Sequence, residues 1–212
     1  MFDFANTRAN AADVHHCDVK AGLVAGTKVA TQMGWRVVEA VTAGDQVLTF
    51  DGGLQGVTAV TRHVVQTLGG RADYTDWPLA VPAGALGNRA DMVLLPQQAV
   101  LVESDTAEAV FGDPFAMIPA AALDGFRGIY RRAPAEQIEV VTLQFAQDEV
   151  VFANIGALFF CPAATDLLAA PTDDSYHLLE TAQAELLVRY LELEDRGVAA
   201  GQQARAAFRV AA

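Results

Sequence analysis

The chain has 212 residues, 52% of them hydrophobic and 19% charged, and carries a net charge of −12. That length fills one good core with room for an appendage, and the composition is that of a globular rather than a disordered protein. The acidic balance and the lack of any Lys/Arg-rich run exclude nucleic-acid binding through phosphate neutralisation, and no stretch approaches the roughly 20 apolar residues of a membrane span.

Residues 1–20 show no hydrophobic periodicity and read as an irregular arm. Its start, Met1-Phe2-Asp3-Phe4-Ala5-Asn6, lacks the apolar run of a Sec signal, which points to the cytoplasm; export without a signal stays open. Within the arm, His15-His16-Cys17-Asp18 places a thiol beside imidazoles, the residue types of an activated thiolate or a zinc site. Three adjacent side chains rarely converge on one ion, so the arm reads as polar with incidental His and Cys. No metal and no cofactor is expected.

From Thr27 to Phe160, short β-branched runs alternate with Gly, Asp, Asn and Pro, the pattern of an all-β domain. Strands are predicted at Gln46–Phe50, Gly56–Thr61 and Glu139–Phe145, with tight turns at Gly44-Asp45 and Asp51-Gly52-Gly53. Ala146-Gln147-Asp148-Glu149, flanked by alternating apolar runs, is read as a hairpin turn. Leu68–Asp76 is a polar loop, and one short helix follows Pro119. Cys17 and Cys161 are read as unpaired thiols, Cys161 being a small buried residue behind Phe159-Phe160. Gly52-Gly53 and Gly69-Gly70 lack the Lys-Ser or Lys-Thr of a phosphate loop, and Arg131-Arg132 is too small for a phosphate patch.

After Pro171 the composition becomes helical. Asp173 and Asp174 are candidate caps, and Leu178, Leu179, Ala182, Leu186, Tyr190 and Leu193 recur at three- and four-residue steps. Gly197 is a stop, and a weaker helical stretch follows from Gly201 to about Arg209. Glu192, Glu194 and Asp195 look like a solvated face. The apolar stripe must be buried, on the chain's own β domain or in a homodimer through the helix. The division is therefore an arm (1–20), a β domain (21–165) and a helical C-terminal segment (172–212).

Three blocks stand out: Gly22-Leu23-Val24-Ala25-Gly26-Thr27-Lys28-Val29-Ala30-Thr31, Val93-Leu94-Leu95-Pro96-Gln97-Gln98-Ala99-Val100-Leu101, and Phe145-Ala146-Gln147-Asp148-Glu149-Val150-Val151-Phe152-Ala153. With Val37–Asp51, Pro78–Asn88 and Ala116–Leu123 they resemble, in family order, the bacterial Hint domains related to hedgehog C-terminal domains and inteins. The resemblance covers about residues 21–163. It implies a mainly β, Hint-type fold, here with a helical C-terminal appendage, and a self-cleaving activity. The family's cysteine nucleophile falls on Gly22, its serine on Leu95, and its two histidines on Gln98 and Asp148.

That chemistry needs a thiol or hydroxyl beside the scissile carbonyl and an imidazole to protonate the departing amide nitrogen. Gly22 has no side chain, Leu95 no hydroxyl, and the carboxamide of Gln98 does not titrate usefully; Asp148 serves only if burial raises its pKa considerably. The leading expectation is thus a catalytically inactive domain acting as a scaffold or binding module. Its former substrate groove would take a protein or peptide partner. The alternative is self-processing through a displaced nucleophile, Cys17. If only the side chains are lost, restoring Cys, Ser and the two His at Gly22, Leu95, Gln98 and Asp148 should return weak thiol-induced cleavage. A hydrolase grafted onto the scaffold finds no Ser-His-Asp, Cys-His or metal constellation to support it.

Overall fold

A computed structural model describes residues 21–67, 73–163 and 178–197, together with Ala204, Ala207 and Phe208. Cys17 and its histidines, Gly69-Gly70, and the proposed caps Asp173 and Asp174 lie outside the described residues, as does most of the weaker helical stretch after Gly201.

The first strands are β1 (Leu23–Val24), β2 (Lys28–Thr31), β3 (Gly34–Val37), β4 (Gln46–Thr49), β5 (Gly53–Gly56) and β6 (Ala59–Gln66). They are followed by β7 (Leu79–Val81), β8 (Met92–Leu94), β9 (Ala99–Glu103), the helix α1 (Asp105–Phe111), β10 (Phe115–Pro119) and β11 (Tyr130–Arg131). The last are β12 (Gln137–Gln144), β13 (Glu149–Ala153), β14 (Ala157–Cys161) and the helix α2 (Thr181–Asp195). One sheet runs β11-β7-β8-β1-β12-β6; the other runs β10-β9-β14-β13-β2-β4-β5, with β3 on β2. The fold is mainly β, as the alternating runs require.

The three blocks turn out to share one structural job. Each carries the chain from the first sheet to the second: β1 into β2, β8 into β9, and β12 into β13. Ala146–Asp148 is therefore not a hairpin turn, because β12 pairs with β1 and β6 while β13 pairs with β14, β2 and β4. Alternation reports which face a residue occupies and says nothing of which strand lies beside it. The predicted strand Gly56–Thr61 is likewise split, with Val57 and Thr58 lying between β5 and β6.

Between the sheets the core gathers Phe145, Phe159, Leu79, Ile118, Ile129 and Leu143, all fully buried. Along β14, Ala157, Phe159 and Cys161 face this core, while Leu158 and Phe160 join Val150 and Met117 in a smaller cluster on the second sheet's other face. The short helix predicted after Pro119 is a 3-10 turn, Ala120–Leu123. α1 was not anticipated: Ser104 caps it, accepting from the N–H groups of Thr106 and Ala107, and Gly112 ends it in a left-handed conformation.

The C-terminal helix packs on its own domain, against β10, α1 and the Ala120–Leu123 turn. Its phase differs from the stripe drawn above. Ala184, Leu187, Val188 and Leu191 are buried, Leu186, Tyr190 and Leu193 only half so, and Ala182 is exposed. The contiguous run Leu186-Leu187-Val188 fits either phase on spacing alone, and small Ala184 lets the helix approach closely. Leu178 is not helical at all: it forms a parallel bridge to Met117, and the Leu179 N–H donates to the Met117 carbonyl at 2.9 Å.

Two of the three acidic residues at the helix end, Glu194 and Asp195, are engaged by the protein rather than by solvent alone. Glu194 Oε1 accepts from Ser104 Oγ at 2.9 Å and from the Thr106 N–H at 2.8 Å, adding a carboxylate to the N-terminus of α1. Asp195 takes two hydrogen bonds from the Arg127 guanidinium, which also donates to the Ala85 carbonyl. Burial of the apolar face and these two clasps make α2 part of the domain. Among the described residues no helix is long and apolar enough to cross a membrane.

Candidate functional site

Gly22 immediately precedes β1, which lies between β12 and β8: Leu23 pairs with Val141 on one side and Leu94 on the other. Gln98 immediately precedes β9 and closes the turn that leaves β8, its N–H donating to the Leu95 carbonyl at 3.0 Å. Two sheet crossings thus bring residues 76 positions apart into contact, with the Gly22 N–H donating to Gln98 Oε1 at 2.9 Å.

The rest of the Gln98 side chain is committed too. Its Nε2 donates to the carbonyls of Ala99 and Phe160, each at 3.0 Å, and the residue is 2% exposed. Two carbonyl acceptors fix which end of the carboxamide is nitrogen, so its oxygen must face Gly22. This is the reverse of what peptide cleavage needs. The group facing the amide nitrogen accepts a hydrogen where an acid would have to deliver one.

Gly22 itself has φ +125°, and a Cβ built there would stand 2.6 Å from Val140 Cγ1 and 3.3 Å from Thr142 Oγ1. L side chains avoid this backbone region, and the contact is inside van der Waals range. A side chain restored at Gly22 would thus meet Val140 and a strained backbone.

Of the other family positions, Leu95 is buried hydrocarbon at the start of the turn. Asp148 is half-buried and accepts from the Ala163 N–H at 2.8 Å. Neither lines the cavity beside Gly22 and Gln98. That cavity, about 230 Å³, has walls from Leu23, Val141, Leu143, Phe160, Cys161 and Leu178 among others.

Of the cavity residues, the sequence reading named only Gly22 and Gln98 as site positions; Cys161 and Leu178 are among those it did not assign there. Burial, with a smaller contribution from nearby Glu149, pushes the Cys161 thiol up to about 12, so it stays protonated and a poor nucleophile at neutral pH. Glu149 faces Cys161 across the β13–β14 pair and is 2% exposed, with Oε1 accepting from Gln147 Nε2. A charge opening the apolar run Val150-Val151-Phe152 was the one signal of it. Among the described residues no group of three or more His, Cys, Asp or Glu is placed to hold a metal ion.

The framework motifs explain themselves in the same terms. Asn88, 1% exposed, donates to the carbonyls of Pro82 and Ala90 and accepts from the Leu86 N–H, tying the loop between β7 and β8. Asp45 holds the Gly44 turn by accepting from the Thr42 N–H and hydroxyl. Those bonds, with Arg36 nearby, keep its carboxyl below the usual aspartate range.

Two sheets, with three crossings from the first to the second and a cavity at the meeting of two of them, make up a Hint-type β domain. The profile of the Hint domain family matches residues 21–158, and the chain belongs to that family. Similar solved structures include a bacterial intein-like domain from Clostridium thermocellum, at 14% identity over 66% of this chain and 97% of that one, with a TM-score of 0.47. The gp41-1 intein matches at 12% identity, 65% and 96% coverage and TM-score 0.42, and the MchDnaB-1 intein (N145AA) at 16%, 66% and 99%, and 0.42. At such identities the likeness is one of fold alone. No curated protein matches the chain in sequence.

Proposed function

We propose that this Hint domain does not process itself and serves as a scaffold or binding module built around the cavity at Gly22 and Gln98. One observation carries the reading: the Gln98 carboxamide accepts the Gly22 N–H while both its own donors are spent on carbonyls. Among the described residues the group bonded to the amide nitrogen that would have to leave is an acceptor and not an acid, and the residue that would have to attack has no side chain. Loss of one member of a concerted catalytic unit costs up to about 10⁶ in rate, and here the nucleophile and the acid are both replaced.

Incubation of the purified chain with dithiothreitol or hydroxylamine, followed by intact-mass measurement, tests the reading. A single full-length species is expected. A break at Ala21–Gly22 would restore the family chemistry, and a thiol-dependent break next to Cys17 would establish the displaced nucleophile instead.

A further inference from the structure

The first sheet ends on β6, a strand of 8 residues whose one strand partner among the described residues is β12. The sheet's other edge, β11, has 2 residues. In the second sheet β5 has 4, beginning and ending in glycine, and β10 is bridged by Leu178. Among the described residues β6 is thus the long open edge.

The direction of its backbone groups follows from β12. The Glu136 and Gln144 carbonyls accept from the Thr67 and Thr58 N–H groups, while the Glu139 carbonyl accepts from Ala25 on the β1 side. Backbone groups alternate in direction along an antiparallel strand, so the even-numbered residues of β12 face β6. By the register, Ala59, Thr61, His63 and Val65 face back toward β12. The N–H and C=O groups of Val60, Arg62, Val64 and Gln66 point out from the edge.

Long open edges pair with other strands unless Pro, Lys, a bulge or a covering element blunts them. β6 has no Pro, no Lys and no acidic residue, and its register runs without a bulge from Ala59↔Gln144 to Gln66↔Gln137. Arg62, the charge that could guard it, is turned aside: its Nη2 donates to the Glu39 and Val41 carbonyls at 3.1 and 2.9 Å. Val64 stands 59% exposed.

The edge fits a copy of itself. Its outward residues lie symmetrically about His63, so a two-fold axis there pairs Val60 with Gln66 and Arg62 with Val64. Every outward N–H and C=O is then engaged, which no other antiparallel register of two β6 strands achieves. On the opposite face Thr61 meets Val65, and the two His63 meet across the axis. On a chain of net charge −12, a strand without Asp or Glu is where two copies repel least. The same register sets Arg62 of each copy two strands from Glu139 of the other, on one face.

We propose that two copies of this chain join antiparallel through residues 60–66 of β6, centred on His63, and merge their six-stranded sheets into one. β6 contributes nothing to the cavity wall, so this surface and the cavity stand or fall separately.

Sedimentation equilibrium of the full-length chain is expected to show a reversible dimer. Val64→Pro removes one outward N–H and leaves the bonds to β12 alone, and Val64→Lys sets a like charge opposite Arg62 of the other copy. Each is expected to weaken the dimer about tenfold or more, with native circular dichroism. Leu54→Asp, at an exposed position of the second sheet, is expected to leave it unchanged.

Cross-linking reads the register. Residues facing each other in a non-hydrogen-bonded pair have Cα atoms about 4.5 Å apart, within disulfide range. In a Cys17→Ser background, His63→Cys is expected to oxidise to a covalent dimer. Thr61→Cys, which faces Val65, is expected to do so about tenfold more slowly. A wild-type chain that stays monomeric up to about 1 mM overturns the proposal. So does a dimer indifferent to Val64→Lys or lost in Leu54→Asp, or equal cross-linking at the two positions. A chain that stays intact by mass yet monomeric removes this inference alone.

Discussion

The loop around Asn88 and the corner around Gly22 are both polar knots buried between strands, and they differ in what their hydrogen bonds accomplish. At Asn88 the side chain satisfies backbone groups that a tight loop would otherwise leave without partners, which any chain with this fold requires. At Gly22 the knot satisfies an amide that in a self-cleaving domain must be free to receive a proton. The first knot is scaffold and is retained. The second, on the proposed reading, is a static arrangement built around a glycine.

The largest effect is expected at the scaffold knot. Asn88→Ala leaves the Pro82 and Ala90 carbonyls and the Leu86 N–H without partners in a site closed to water, and should cost about 4 kcal/mol in urea unfolding. A loss below about 1 kcal/mol would mean that the loop is re-satisfied by water and is no framework. Next comes the clasped helix, where Leu187→Ala should cost about 3 kcal/mol and Leu186→Ala about 1. The reverse order would put the buried face back on the Leu186, Tyr190 and Leu193 stripe.

At the static knot, Gly22→Cys should destabilise by about 2 kcal/mol through its positive φ and the Val140 contact, with no cleavage by mass. A Gly22→Cys protein as stable as wild type would show that the corner has not adapted to glycine. The smallest effect is electrostatic. Asp45 is held below its ordinary value of 3.8 in the folded chain, so its contribution is complete above that value and fades as pH falls through the lower, folded one. Acid titration of stability should therefore be shallower below about pH 4 in Asp45→Asn than in wild type, so that the gap between the two is widest at neutral pH and narrows in acid.

These contrasts also mark where the sequence was legible. The order of short motifs identified the fold, because Gly44-Asp45, Gly87-Asn88 and the three sheet crossings are local solutions that local residues announce. Phase and partnership were not local. The helix stripe was misplaced because Leu186-Leu187-Val188 fits two phases, and the surface it meets is set by β10 and α1. Glu194 and Asp195 looked solvated because Ser104 and Arg127, far away in sequence, are what they bind.

The site was legible to the same extent. The reading of Gly22, Leu95, Gln98 and Asp148 as the family's reactive positions came from the blocks. That Gln98 offers its oxygen to the Gly22 amide, and that Gly22 needs its φ of +125°, could not. Nor could Leu178, whose place in the wall depends on a bridge to Met117.

Hydrogen exchange at the Gly22 amide, followed by NMR in wild type and in Gln98→Leu, tests the central claim most directly. If Gln98 holds that amide as an acceptor, Gly22 exchanges about a hundredfold or more slower than a free peptide in wild type, and much of the protection disappears in Gln98→Leu while β1 stays protected. A wild-type Gly22 that exchanges like an open loop would contradict the account, leaving its amide available for the proton that cleavage requires.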